Sequence, residues 1–169
     1  MCRENVRRRA HAAAGEAVVA ELRRSRAQIP HLHSLEEGVS VLEEKLDELK
    51  DAVRANLVGH ARATAAQVSA AALRLTTDFQ DDEVALARDR LSAQGAVSKA
   101  AGGYAPVAPL NSAHEGLGYL RCRQQQLCEA LAMGDSTKAT VAAYAIGVLA
   151  LRFVAEVPSE DASLAVARR

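Results

Sequence analysis

The feature that most constrains this 169-residue chain is its match to itself. Slid by 78 positions, it aligns with its own second half without a gap. Leu32, Ser34, Glu37, Gly38, Leu42, Leu49, Ala52 and Ala61 meet identical residues at Leu110, Ser112, Glu115, Gly116, Leu120, Leu127, Ala130 and Ala139. Further on, Ala65, Ala72, Leu73 and Arg74 meet Ala143, Ala150, Leu151 and Arg152. Alanine matches are cheap in an alanine-rich chain. Matched glycines, leucines, helix-start serines and a shared Ala-Leu-Arg are not. A small unit repeated once cannot bury its apolar faces alone, so the two copies are expected to pack on each other.

Each copy reads as helical. Ser34-x-x-Glu37 and Ser112-x-x-Glu115 are capping boxes, a serine oxygen and a glutamate satisfying free amides of the first turn. After the first, Leu35, Leu42, Leu46, Leu49 and Val53 follow three-four spacing and define a core stripe, with Glu37, Glu44, Glu48 and Asp51 nearly opposite. Gly59 marks a break before a helix over 62–78, whose Ala65, Ala66, Ser69 and Ala72 allow close approach. An N-terminal helix over 4–27 offers Val6, Ala10, Ala13, Ala17, Ala20 and Leu22 as its stripe, leaves its arginines in water, and stops before Pro30. The second half repeats the plan: a helix from Asp81 and Asp82 to about Ala100, a loop with Gly102, Gly103, Pro106 and Pro109, then helices to Met133 and from Asp135 or Ser136 to Glu156. Gly134 ends the first of these and Pro158 the second. The expected fold is all-α: a bundle of two tandem three-helix repeats, 1–79 and 80–157, forming an intrachain pseudo-dimer, with a tail over 158–169.

Composition narrows the function. Lys+Arg and Asp+Glu both number 21, and aromatics make up 3% with no Trp, which argues against nucleic acid and offers no base-stacking platform. Ala139–Leu151 is too short an apolar run to span a bilayer. Basic residues followed by small apolar ones at the N-terminus resemble a targeting peptide, but His11 and Glu16 interrupt it and no cleavage site follows. Cys122 and Cys128, six apart, suit neither a zinc knuckle nor a disulfide staple. The expectation is a cytoplasmic protein with reduced thiols. His31 and His33 lack a third ligand.

Two stretches are specific. HSLEEGVSVLEEKLDELKDAV and LNSAHEGLGYLRCRQQQLCEAL resemble the MazG-like nucleotide pyrophosphohydrolase helix that opens on Ser-Ala-His-Glu-Gly and carries EExxE. AAQVSAAALRL and AAYAIGVLALRF resemble the helix that follows it. The resemblance covers about half the chain, twice over, and the related dimeric dUTPases are regarded as tandem duplications of the same unit. It implies an all-α protein in which magnesium, held by acids on two facing helices, assists cleavage of a (d)NTP to monophosphate and pyrophosphate.

This chain departs from that pattern. Glu44 falls on the first Glu of EExxE, Lys45 on the second and Glu48 on the last, and the repeat has Cys122, Arg123 and Gln126 there. The facing ExxD becomes Thr64-x-x-Gln67 and Ala142-x-x-Ala145. If the magnesium chemistry survives, Glu44, Glu48 and Asp51 are its metal ligands, with Gln67 and His114 as pocket residues. Shifting the register by one gives Glu43, Glu44 and Asp47, at the cost of the leucine alignment. If the chemistry is lost, no cofactor is implied and Lys45 and Arg123 are counter-charges or phosphate contacts. The expected role is then a non-catalytic nucleotide- or phosphate-binding protein, or a helical assembly protein that forms homo-oligomers.

Overall fold

A computed structural model describes residues 3–78, 85–102 and 108–158, and all its regular structure is helical. Six helices follow one another: α1 (Arg3–Gln28), α2 (Leu35–Arg54), α3 (Val58–Thr77), α4 (Ala85–Ala101), α5 (Ala113–Ala132) and α6 (Ser136–Glu156). Asp81, Asp82, Gly103, Pro106 and the tail beyond Pro158 lie outside the described residues.

The helix starts follow from local chemistry. The Ser34 and Ser112 side chains accept the amides of Glu37 and Glu115, each at 3.1 Å. The glutamates reach one residue further back than a reciprocal box requires, Glu37 to the His33 amide at 2.6 Å and Glu115 to the Asn111 amide at 2.8 Å. Both helices also end alike. Asn56 (φ 55°) and Gly134 (φ 68°) take the left-handed conformation. Leu57 then bonds back to Ala52 and Asp135 to Ala130, both at 2.9 Å, the Schellman closure. The break therefore lies at Asn56, and Gly59, expected to mark it, sits inside the first turn of α3.

The two most apolar helices form the centre. α3 and α6 make the largest interhelical contact; α2 lies on α3, α5 on α6, and α1 packs on α3, α4 and α6. Small side chains let the central pair approach. Ser69 Oγ donates to the Gly147 carbonyl at 2.8 Å, and a Cβ on Gly147 would stand 2.9 Å from Leu73 Cδ2. α6 has the length and apolarity of a membrane-crossing helix, unlike the shorter run read from sequence, but 67% of its most apolar window is buried within the bundle.

Contacts recur 78 residues apart. Gly38 packs under Leu75 and Leu32; Gly116 packs under Phe153 and Leu110. Buried Arg74 pairs with Asp78 at 2.6 Å and reaches the Pro30 carbonyl; buried Arg152 pairs with Glu156 at 2.8 Å and reaches the Ala108 carbonyl. Asp78 accepts the Leu32 amide at 3.3 Å, and Glu156 the Leu110 amide at 2.8 Å.

The stripe assigned to α1 needs correcting. Its buried face is His11, Ala14, Val18 and Leu22, whereas Val6 is 56% exposed. Nor are all its arginines in water: Arg26 pairs with buried Asp78 and Asp89, and Arg7 with Glu156. Charged partners on other helices, invisible to periodicity, set the rotation of this helix.

Candidate functional site

A cavity of about 380 Å³ opens where α1, α2 and α3 meet. α1 contributes Glu21, Arg24, Ser25 and Gln28, one helix face at i, i+3, i+4 and i+7. α2 contributes Val41, Glu44 and Lys45, and α3 contributes Gln67 above a floor of Ala70 and Ala71. Of the residues singled out in sequence, Glu44, Lys45 and Gln67 thus come together.

Lys45 dominates the electrostatics. Its Nζ lies 2.8 Å from Glu48 and 3.5 Å from Glu44. The hydrogen bond to Glu48 raises the ammonium pKa above its ordinary value; partial burial opposes this, and the charges of both glutamates add to it. On the facing wall Arg24 pairs with Glu21 at 2.5 Å. Two cations and two anions line the cleft, and each cation is held by an acid.

The other positions lie elsewhere. Asp51 is exposed and does not line the cleft, and neither does Glu48, which meets it only through Lys45. His114 is exposed on the first turn of α5, away from the cleft it was expected to join. The shifted set does not assemble either. Asp47 bonds Lys50 at 3.0 Å and lies 3.7 Å from Arg121, while Glu43 faces Cys128, so both turn toward α5. In the second half Arg123 donates to Gln126 at 2.7 Å. Both line a separate cavity of about 320 Å³ between α5 and α6, floored by Ala130, Ala142 and Ala145.

Magnesium requires several oxygen ligands in near-octahedral array. Here an ammonium group bridges Glu44 and Glu48, the facing helix offers only the Gln67 amide to the cleft, and Thr64 is buried. Among the described residues no three His, Cys, Asp or Glu side chains converge on a point where an ion could sit. The residues present do not fit the ion.

Sequence reasoning missed the α1 wall. Its signal was the polar i, i+3, i+4, i+7 series from Glu21 to Gln28, obscured by reading α1 on the wrong face. No family model matches the chain, and no curated protein or solved structure is significantly similar to it. The class defined by fold and site is an all-α bundle with a charge-balanced interhelical cleft.

Proposed function

We propose that the chain is a duplicated MazG-like helical unit folded as an internal pseudo-dimer, without catalytic activity, serving as a helical assembly scaffold. The observation that carries this reading is the Lys45 ammonium between Glu44 and Glu48, at 3.5 and 2.8 Å, where the resemblance calls for a carboxylate. A fixed cation there neutralises the acids that a divalent ion would otherwise join, but it cannot polarise a water as a metal does. Arg123 stands at the corresponding position and donates to Gln126, where the repeat has Cys122 and Gln126 in place of the two acids. The duplication draws support from the caps, glycine contacts and buried arginine pairs that recur at the 78-residue interval. Ser69 meeting Gly147, its own counterpart, is what a local two-fold axis between α3 and α6 would produce.

A second reading is favoured by the cleft itself. Its volume and its Arg24, Lys45, Gln28 and Gln67 side chains suit a nucleotide or another phosphorylated small molecule, bound without turnover once the ligand displaces Glu21 or Glu48. One experiment separates these readings from the magnesium-dependent enzyme. Incubating the protein with a panel of (d)NTPs and magnesium or manganese is expected to release no pyrophosphate. Release that vanishes in Glu48→Ala would return the pyrophosphohydrolase. Equilibrium dialysis with the same nucleotides then divides scaffold from binder: retention lost in Lys45→Ala marks the cleft as a ligand site.

A further inference from the structure

His11 is a fully buried residue of α1 with an acceptor at each ring nitrogen. Nδ1 lies 2.8 Å from the Arg7 carbonyl oxygen, which can only accept, so Nδ1 carries a hydrogen. Nε2 lies 3.0 Å from Glu156 Oε1. That carboxylate also receives Arg152 Nε at 3.0 Å, Arg152 Nη2 at 2.8 Å and the Leu110 amide at 2.8 Å, so it is ionised and has no proton to offer. Nε2 must donate as well. A neutral imidazole has one N–H and cannot serve both acceptors.

We propose that His11 is doubly protonated in this packing, and that the α1–α6 contact is a pH-sensitive clasp, closed by the charged ring and loosened when the ring gives up a proton. Deprotonation would leave a lone pair against one of the two acceptors, the Glu156 carboxylate at 3.0 Å or the Arg7 carbonyl at 2.8 Å, and would remove the ring's charge from beside the carboxylate. Among the described residues, the charged groups facing the ring are few. α1 supplies Arg7, whose Nη2 lies 3.3 Å from the same Glu156 oxygen, and α6 supplies Arg152 and Glu156. Among the described residues, the segment before α5 contributes the Leu110 amide. Arg7 Nε is buried without a partner among the described residues. With two guanidinium groups beside one carboxylate, the ring proton is retained by Glu156 and the Arg7 carbonyl against repulsion.

The position 78 residues on provides the contrast. There Asp89, buried against Thr77, is joined to Asp78 through Arg26. A guanidinium keeps its charge across the physiological range, whereas an imidazole does not. The clasp at His11 therefore depends on a group that can lose a proton, and α1, the helix it holds, also walls the cleft through Glu21, Arg24, Ser25 and Gln28.

The test uses the full chain at about pH 5.5 and about pH 8.5, on either side of the ordinary imidazole range. Nitrogen-15 NMR of the wild-type ring is expected to show both nitrogens protonated at the lower pH with the α1–α6 contact formed. Amide exchange over residues 7–14, corrected for its intrinsic pH dependence, should be about tenfold faster at the higher pH, the loss of one hydrogen bond to a charged group. Amides around Ser69 serve as the control and should not change. In His11→Gln the step should vanish. A singly protonated ring at the lower pH with the contact intact overturns the proposal, as does a step that persists in His11→Gln. Should that variant fail to fold, the wild-type ring spectrum decides.

Discussion

Arg74 and Arg152 are side chains that a sequence reader files under surface charge, yet they are 2% and 0% exposed. Each sits four residues before an acid and forms with it a buried pair that also receives or donates main-chain hydrogen bonds. Removing the arginine leaves Asp78 to Arg26, and Glu156 to Arg7 and His11, so Arg74→Met and Arg152→Met should each lower stability by less than the about 3–5 kcal/mol of a wholly stranded charge, read by urea unfolding. The same cluster sets an acid limit. Burial pushes the Glu156 carboxyl up, but hydrogen bonds from His11, Arg152 and the Leu110 amide outweigh it and bring it down to about 2 from an ordinary 4.5. A depressed carboxyl contributes stability in full above its unfolded value and loses it as pH falls through the folded one. Stability is therefore expected to decline between about pH 4.5 and about pH 2, with a shallower decline in Glu156→Gln, measured by unfolding across that window. The Arg-to-acid spacing was present in the sequence. Burial was not, because an i, i+4 pair looks the same on a wet helix face as inside a core.

The helices were the legible level. Capping serines, leucine spacing and prolines located α1, α2, α5 and α6 closely, since each signal acts within a turn or two of its own residue. One boundary went astray for a local reason. Gly59 drew the α2–α3 break because glycine is the usual left-handed residue, whereas Asn56 takes that conformation here, its short polar side chain tolerating it. Asn56→Gly should leave stability unchanged or slightly higher, while Asn56→Ala and Gly134→Ala should each cost about 1 kcal/mol in thermal unfolding. Gly38 and Gly116 divide differently. An added Cβ at Gly38 would meet the ends of flexible Leu75 and Leu32, but at Gly116 it would stand 2.6 Å from the ring of fully buried Phe153. Gly116→Ala should therefore cost about 1–3 kcal/mol by overpacking, and Gly38→Ala less. The rotation of α1 was not legible, because it is decided by Asp78, Asp89 and Glu156 on other helices.

Across the whole molecule, α3 and α6 are buried along most of their length, and each is covered in part by the other half. Residues 1–79 alone would leave the α6-facing side of α3 in water, so that fragment is expected to be unfolded or to self-associate, as sedimentation and circular dichroism would report. The all-helical bundle was readable from periodicity and repetition. The cleft was readable only in part: α2 and α3 announced Glu44, Lys45 and Gln67, while the α1 wall depends on a helix rotation set by distant acids. The proposed function turns on Lys45 standing where the resemblance expects a metal ligand. Calorimetric titration of magnesium tests this most directly, comparing the wild type with a Lys45→Glu, Gln67→Asp double variant that rebuilds acids on both helices. No binding heat is expected in the wild type, and measurable heat in the variant. Magnesium binding by the wild type that disappears in Glu44→Gln or Glu48→Gln would contradict it.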